Sequence, residues 1–118
     1  MARFLLLPGF GGSVDQVVPL TSGAGAVYTD ELDVAYMAQI SVQVKTWAAG
    51  NLAVQVQQTL DGTHFSNVGD PQTLVQGDII RIPTTSGPLG IIRYALTSSD
   101  TSASVTLTTV GFPMQWSN

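Results

Sequence analysis

The chain has 118 residues and a mass of 12.4 kDa, room for one domain with one sizeable core. It contains no cysteine, which excludes disulfides, thiol catalysis and thiolate metal sites. The formal net charge is −4 and only 10% of residues are charged, against ~25% in an ordinary soluble domain. Arg3, Lys45, Arg81 and Arg93 are scattered, so no basic stripe faces phosphates and direct nucleic-acid binding is not expected.

A folded monomer of this mass exposes roughly 6,000 Å². Thirteen Thr, ten Ser and nine Gln supply most of the polarity that covers it. Hydroxyl and amide faces are buried against protein at lower cost than ions. Two readings follow: a soluble monomer with a hydroxyl-rich β surface, or a subunit that covers such faces in an assembly. The second is the expectation. A closed homo-oligomer, with a trimer favoured, would use up every sticky patch without open-ended growth.

Residues 1–26 are expected to form an extended, Gly-rich N-terminal arm, and residues 27–118 the folded domain. Phe4-Leu5-Leu6-Leu7 is shorter than the ~7–15 apolar residues of a secretory signal and is ended by Pro8-Gly9, so synthesis in the cytoplasm without a signal peptide is expected. No stretch approaches the ~18 apolar residues that span a bilayer, so no membrane partner is expected. Leucines on a glycine tether are costly to leave in water. Phe4, Leu5, Leu6, Leu7 and Phe10 are therefore expected to dock on this domain, a neighbouring copy or another protein.

Further along, Thr29 is placed as an N-cap for a helical turn over residues 30–34, with Asp30, Glu31 and Asp33 as acids of its first turn. The same three acids are the only cluster of hard oxygen ligands suited to Ca²⁺, but no Asp-x-Asp-x-Asp-Gly loop is present. No metal is assigned to them.

From Tyr36 the period is two. Ala38, Ile40, Val42 and Val44 alternate with Gln39, Ser41, Gln43 and Lys45, a strand with one dry and one wet face; Trp47 follows in phase with the wet face. After Ala49-Gly50-Asn51, Leu52, Val54 and Val56 alternate with Ala53, Gln55 and Gln57. Two such runs joined by a Gly-Asn turn predict a β-hairpin. Leu60-Asp61-Gly62-Thr63 predicts a tight turn with Gly62 at positive φ. Short strands are predicted over residues 65–68 and 78–82. Residues 91–97 read as a central strand covered on both faces, and residues 104–112 as a Thr-rich final strand. No long 3.6-residue period occurs. The pattern predicts an all-β fold, a single antiparallel β-sandwich of jelly-roll or immunoglobulin-like type, with the N-terminal arm.

The one histidine, His64, follows the Asp61-Gly62 turn and reads as an exposed loop residue. No nucleophile elbow accompanies it, and no carboxylate pair is singled out. Gly9-Phe10-Gly11-Gly12 lacks the Lys-Ser/Thr of a phosphate loop. No catalytic residue, cofactor or metal ligand is assigned, and the chain is not expected to be an enzyme. Trp47, Phe65, Tyr94 and Trp116 offer a sugar-stacking platform if they share a face. Otherwise Phe65 and Tyr94 are core, and Trp47 and Trp116 cap its edge or an interface.

Ser41-Val42-Gln43-Val44, Gly50 and the run from Val54 to Phe65, with its Asp61-Gly62-Thr63-His64-Phe65 turn, resemble a pattern in small structural proteins of tailed bacteriophages. In that pattern alternating strands meet at Asp-Gly-Thr-x-(Trp/Phe). A later strand carries Arg followed by alternating apolar residues, as in Ile92-Arg93-Tyr94-Ala95-Leu96, and a Thr-rich strand closes it, as in residues 104–109. The resemblance covers roughly residues 36–112 and gives the N-terminal arm no counterpart. It implies a virion component with a sandwich fold, most like a capsid decoration (cement) protein on the outer surface of the head. Such a protein would contact the major capsid protein or another virion protein, here through Phe4, Leu5, Leu6, Leu7, Phe10, Trp47 and Trp116. The alternative is a glycan- or receptor-binding sandwich module of a phage tail or cell surface, acting through Trp47 or Trp116.

Overall fold

β-branched and apolar residues at every second position favour an extended backbone over helix. The computed structural model of the protein describes residues 3–5, 12–20, 26–34, 37–47, 51–82, 90–98 and 104–113. Among these residues there are eleven strands and no helix: β1 (Arg3–Leu5), β2 (Gly12–Pro19), β3 (Val27–Tyr28), β4 (Glu31–Asp33), β5 (Met37–Thr46), β6 (Leu52–Thr59), β7 (Ser66–Asn67), β8 (Gln72–Leu74), β9 (Ile79–Ile82), β10 (Ile91–Thr97) and β11 (Ser104–Pro113).

The strands form two sheets. One has four strands in the order β2-β11-β5-β9. The other has seven, in the order β1-β4-β10-β6-β7, with β3 also on β10 and β8 also on β6. All pairings are antiparallel except β1 with β4. The dry faces meet in one core. Val42, Val44, Val105 and Leu107 come from the four-stranded sheet, and Leu52, Val54, Ile92 and Leu96 from the seven-stranded one. Burial stabilises the fold by about 1.5–3 kcal/mol for each such side chain. A hydrogen bond crosses the core between the sheets, Tyr94 Oη to Thr109 Oγ1 at 2.8 Å. The fold is the all-β sandwich that the alternation predicts.

The pairing differs from expectation in one respect. β5 and β6 do not form a hairpin, because β5 lies between β11 and β9 in one sheet and β6 between β10 and β7/β8 in the other. Alternation marks each strand and its dry face, but it is identical for a hairpin and for a backbone that crosses from one sheet to the other. Here both edges of each strand are taken by other partners, and the two dry faces oppose one another across the core.

Two segments expected to be irregular are strands. Residues 31–33, placed in a helical turn, form β4 against β10, pairing Asp33 with Ile91 and Leu32 with Ile92. Leu32 is fully buried, and this ladder outweighs the local preference of Thr29 and its acids for a helix start. Within the span assigned to the arm, Gly12–Pro19 pairs along its whole length with β11. Val18 and Leu20 belong to the core. The residues assigned to the arm's tip, Leu6, Leu7 and Phe10, lie outside the described residues.

The turn after β6 is as the sequence predicts. Gly62 has φ 81°, and β7 folds back so that Gln57 faces Asn67 and Gln58 faces Ser66. Asp61 Oδ1 accepts from the main-chain N–H of Thr63 and of His64, each at 2.8 Å, and from the Thr59 hydroxyl at 2.9 Å. The Gly62 N–H donates to Thr59 Oγ1 at 3.0 Å. These bonds, the His64 amide foremost, hold the Asp61 carboxyl well below the usual carboxylate range. Gly62→Val forces a β-branched residue into left-handed backbone and is expected to cost at least about 1–2 kcal/mol. An unchanged melting temperature would show that the turn does not depend on this φ.

Candidate protein-interaction surface

The wet face of the four-stranded sheet is set by the same alternation that builds its dry face. The register lines up Ser13, Val110, Ser41 and Arg81 in one row across the four strands, and Asp15, Thr108, Gln43 and Ile79 in the next. Thr106 and Phe112 extend the face along β11, Val17 along β2 and Gln39 along β5. Its charges are Asp15, Lys45 and Arg81, and the first two neutralise each other. Lys45 Nζ lies 2.9 Å from Asp15 Oδ2, and Thr108 Oγ1 donates to Asp15 Oδ1 at 2.7 Å. The Thr108 bond, then Lys45, lowers the Asp15 carboxyl from its ordinary value. Val17, Ile79 and Phe112 are 68%, 51% and 56% exposed, so apolar groups stand among the hydroxyls and amides. A protein partner covers such a face while stripping water from few ions.

The outer face of the seven-stranded sheet is organised around Arg93. Its guanidinium carbon lies 4.0 Å from the centroid of the Tyr28 ring and 3.6 Å from that of Phe65. Tyr28 reaches it from β3 on one flank of β10, and Phe65 from the loop between β6 and β7 on the other. Arg93 Nε donates to Gln57 Oε1 at 2.8 Å, and Gln57 Nε2 donates to Asn67 Oδ1 at 3.1 Å. Arginine has only donors, so it fixes which end of the Gln57 amide faces it and, through Gln57, the amide of Asn67. The register sets this series of contacts, with Arg93 opposite Gln57 and Gln57 opposite Asn67.

The residues singled out from the sequence have different fates. Phe4 and Leu5 lie in β1, whose main chain pairs with β4. Trp116, like Leu6, Leu7 and Phe10, is outside the described residues. Trp47, expected at an edge or interface, is 2% exposed and part of the core. Tyr94 is also fully buried, and Phe65 is half-buried against Arg93. Trp47, Phe65 and Tyr94 therefore do not share an exposed face. Of the three acids weighed for calcium, Glu31 is buried and Asp30 exposed, and no group of three His, Asp or Glu suited to a metal occurs among the described residues.

His64 Nδ1 lies 2.7 Å from Asp61 Oδ2, with its side chain 86% exposed. The pair shares a shallow cleft of about 280 Å³ with Thr59 and Ser66. Ser66 makes no hydrogen bond to the imidazole, and Asp61 bonds the main chain of the turn, so the Asp61–His64 pair closes the turn. Sequence reasoning misses the Arg93 cluster. The available signal is the outward phase of Arg93, Gln55 and Gln57; the register that joins Arg93 to its partners is non-local. No family model matches the chain, and no curated protein is significantly similar to it.

Proposed function

We propose that this protein is a non-enzymatic structural module that works through protein–protein contacts of its outer sheet faces. The assembly it serves is, on the phage-like strand and turn pattern, a virion, with the protein attached to the outside of the capsid as a homo-oligomer. One observation carries the reading: the wet face of the four-stranded sheet is a lattice of hydroxyls and amides. Exposed Val17, Ile79 and Phe112 stand in it, and its one acid is already paired with Lys45. Such a face is covered by protein at low desolvation cost, and weak contacts repeated over a symmetric shell add through multivalency.

Val110 stands mid-face, between Ser13 of β2 and Ser41 of β5. Val110→Glu is expected to lower stability by about 1 kcal/mol, leaving the domain folded, while it lowers the mass in sedimentation to that of the monomer and abolishes attachment to the capsid. Unaltered association would remove this face from the account. Location is tested independently, by mass spectrometry of purified particles from the source of the protein. Stoichiometric presence is expected, and absence would overturn the virion reading.

A further inference from the structure

We propose that Arg93, held against Tyr28 and Phe65, is a receptor for a planar carboxylate supplied by the protein partner, either an Asp or Glu side chain or the carboxylate that ends a polypeptide. The inference rests on the protein-contact reading only for the source of that carboxylate; the site itself stands on geometry.

Of the five N–H donors of a guanidinium, one is used, from Nε to Gln57 Oε1. The two terminal amino groups make no hydrogen bond to the described residues, and Arg93 forms no ion pair with a described carboxylate. The open edge of Arg93 thus offers only donors, with one positive charge, and the fitting ligand carries only acceptors and a negative charge.

Shape narrows the choice further. The Tyr28 and Phe65 rings cover the guanidinium carbon at stacking distance, so a ligand meets the fork edge-on, in its own plane. A coplanar carboxylate makes two parallel N–H···O bonds in that approach, whereas a tetrahedral phosphate directs oxygens out of plane against the rings. The rings also fix the side chain before binding, which lowers the rotamer entropy lost on pairing. In a protein with few ions, a pre-positioned arginine with open donors is a directional contact that the hydroxyl-rich face of the other sheet does not supply.

The experiment is an NMR titration of the intact protein with sodium propionate, the head group of a Glu side chain. Propionamide, inorganic phosphate and sodium chloride at matched ionic strength serve as comparisons. Saturable shifts of the Arg93 Nε–Hε resonance are expected with propionate, and at least about tenfold weaker binding of phosphate. Arg93→Lys, which keeps the charge and loses the fork, is expected to weaken propionate at least about tenfold.

Shifts no larger than those from chloride, or equal binding of phosphate, would overturn the site. Full-strength attachment of the Arg93→Lys variant to its particle would overturn the partner as source of the carboxylate. Absence of the protein from particles bears on the virion reading alone and leaves the titration standing.

Discussion

Trp47→Ala is expected to remove about 3–5 kcal/mol of stability and to lower the melting temperature by more than about 10 °C. Simple alternation puts Trp47 on the wet side of β5, in phase with Ser41, Gln43 and Lys45. The ladder with β11 shows why it points inward instead: Leu107 pairs with Val44 but Thr106 pairs with Thr46, so Lys45 is an extra residue in β5. Such a bulge resets the phase. Lys45 and Thr46 both face solvent, and Trp47 enters the core where the backbone leaves this sheet for β6 in the other. The Trp47 N–H is anchored to Gln76 Oε1 at 2.9 Å. An interface or sugar-stacking tryptophan would tolerate truncation within about 0.5 kcal/mol, so a urea titration separates the two roles. A midpoint equal to that of the parent would place the ring outside the core.

The same bulge marks the boundary of what sequence reasoning reaches. Residues 91–97 match β10 from end to end, and β5, β6, β9 and β11 are each recognisable, because the period of two is written locally in side chains. The Asp61-Gly62 turn is recognisable for a similar reason: both the carboxylate that gathers amides and the residue that takes positive φ lie within four positions. Pairing is not written locally. Nothing in Val42 or Val54 tells whether their strands adjoin or face each other, since that depends on β9, β10 and β11 competing for their edges.

β2 is hidden by a single irregularity on each face. Its inward positions read Val14, Gln16, Val18 and its outward ones Ser13, Asp15, Val17, so one amide points in and one valine out. Gln16 is accommodated by donating to the Asp30 carbonyl at 3.1 Å, a partner 14 residues away. The Arg93 cluster is illegible for the same physical reason. Gln57 and Phe65 belong to one hairpin, but Tyr28 and Arg93 are distant from it in sequence, and only the register of β3 and β6 on β10 brings them to one guanidinium.

Alkaline unfolding driven by Tyr94 is the second large effect expected. Burial pushes the Tyr94 hydroxyl well above the usual tyrosine range, and its bond to Thr109 opposes this only in part. A folded-state pKa above the unfolded value of about 10 gives a contribution fully present below that pH and lost as pH rises toward the folded value. Each unit above about pH 10 therefore favours unfolding by about 1.4 kcal/mol from this one group. Tyr94→Phe isolates it, because every other high-pH titration is common to both proteins. Near neutrality the variant is expected to be less stable by about 1–3 kcal/mol, since the Thr109 hydroxyl, itself fully buried, loses its partner. By about pH 12 the parent has lost about 2–3 kcal/mol of this linkage contribution, and the variant none of it. The two stability curves, from urea titrations at a series of pH values, should converge and then meet or cross. Curves that stay parallel between about pH 8 and about pH 12 would mean that the unfolded state gains nothing by ionising Tyr94, and the cross-sheet hydroxyl would have to be reached by water in the folded protein.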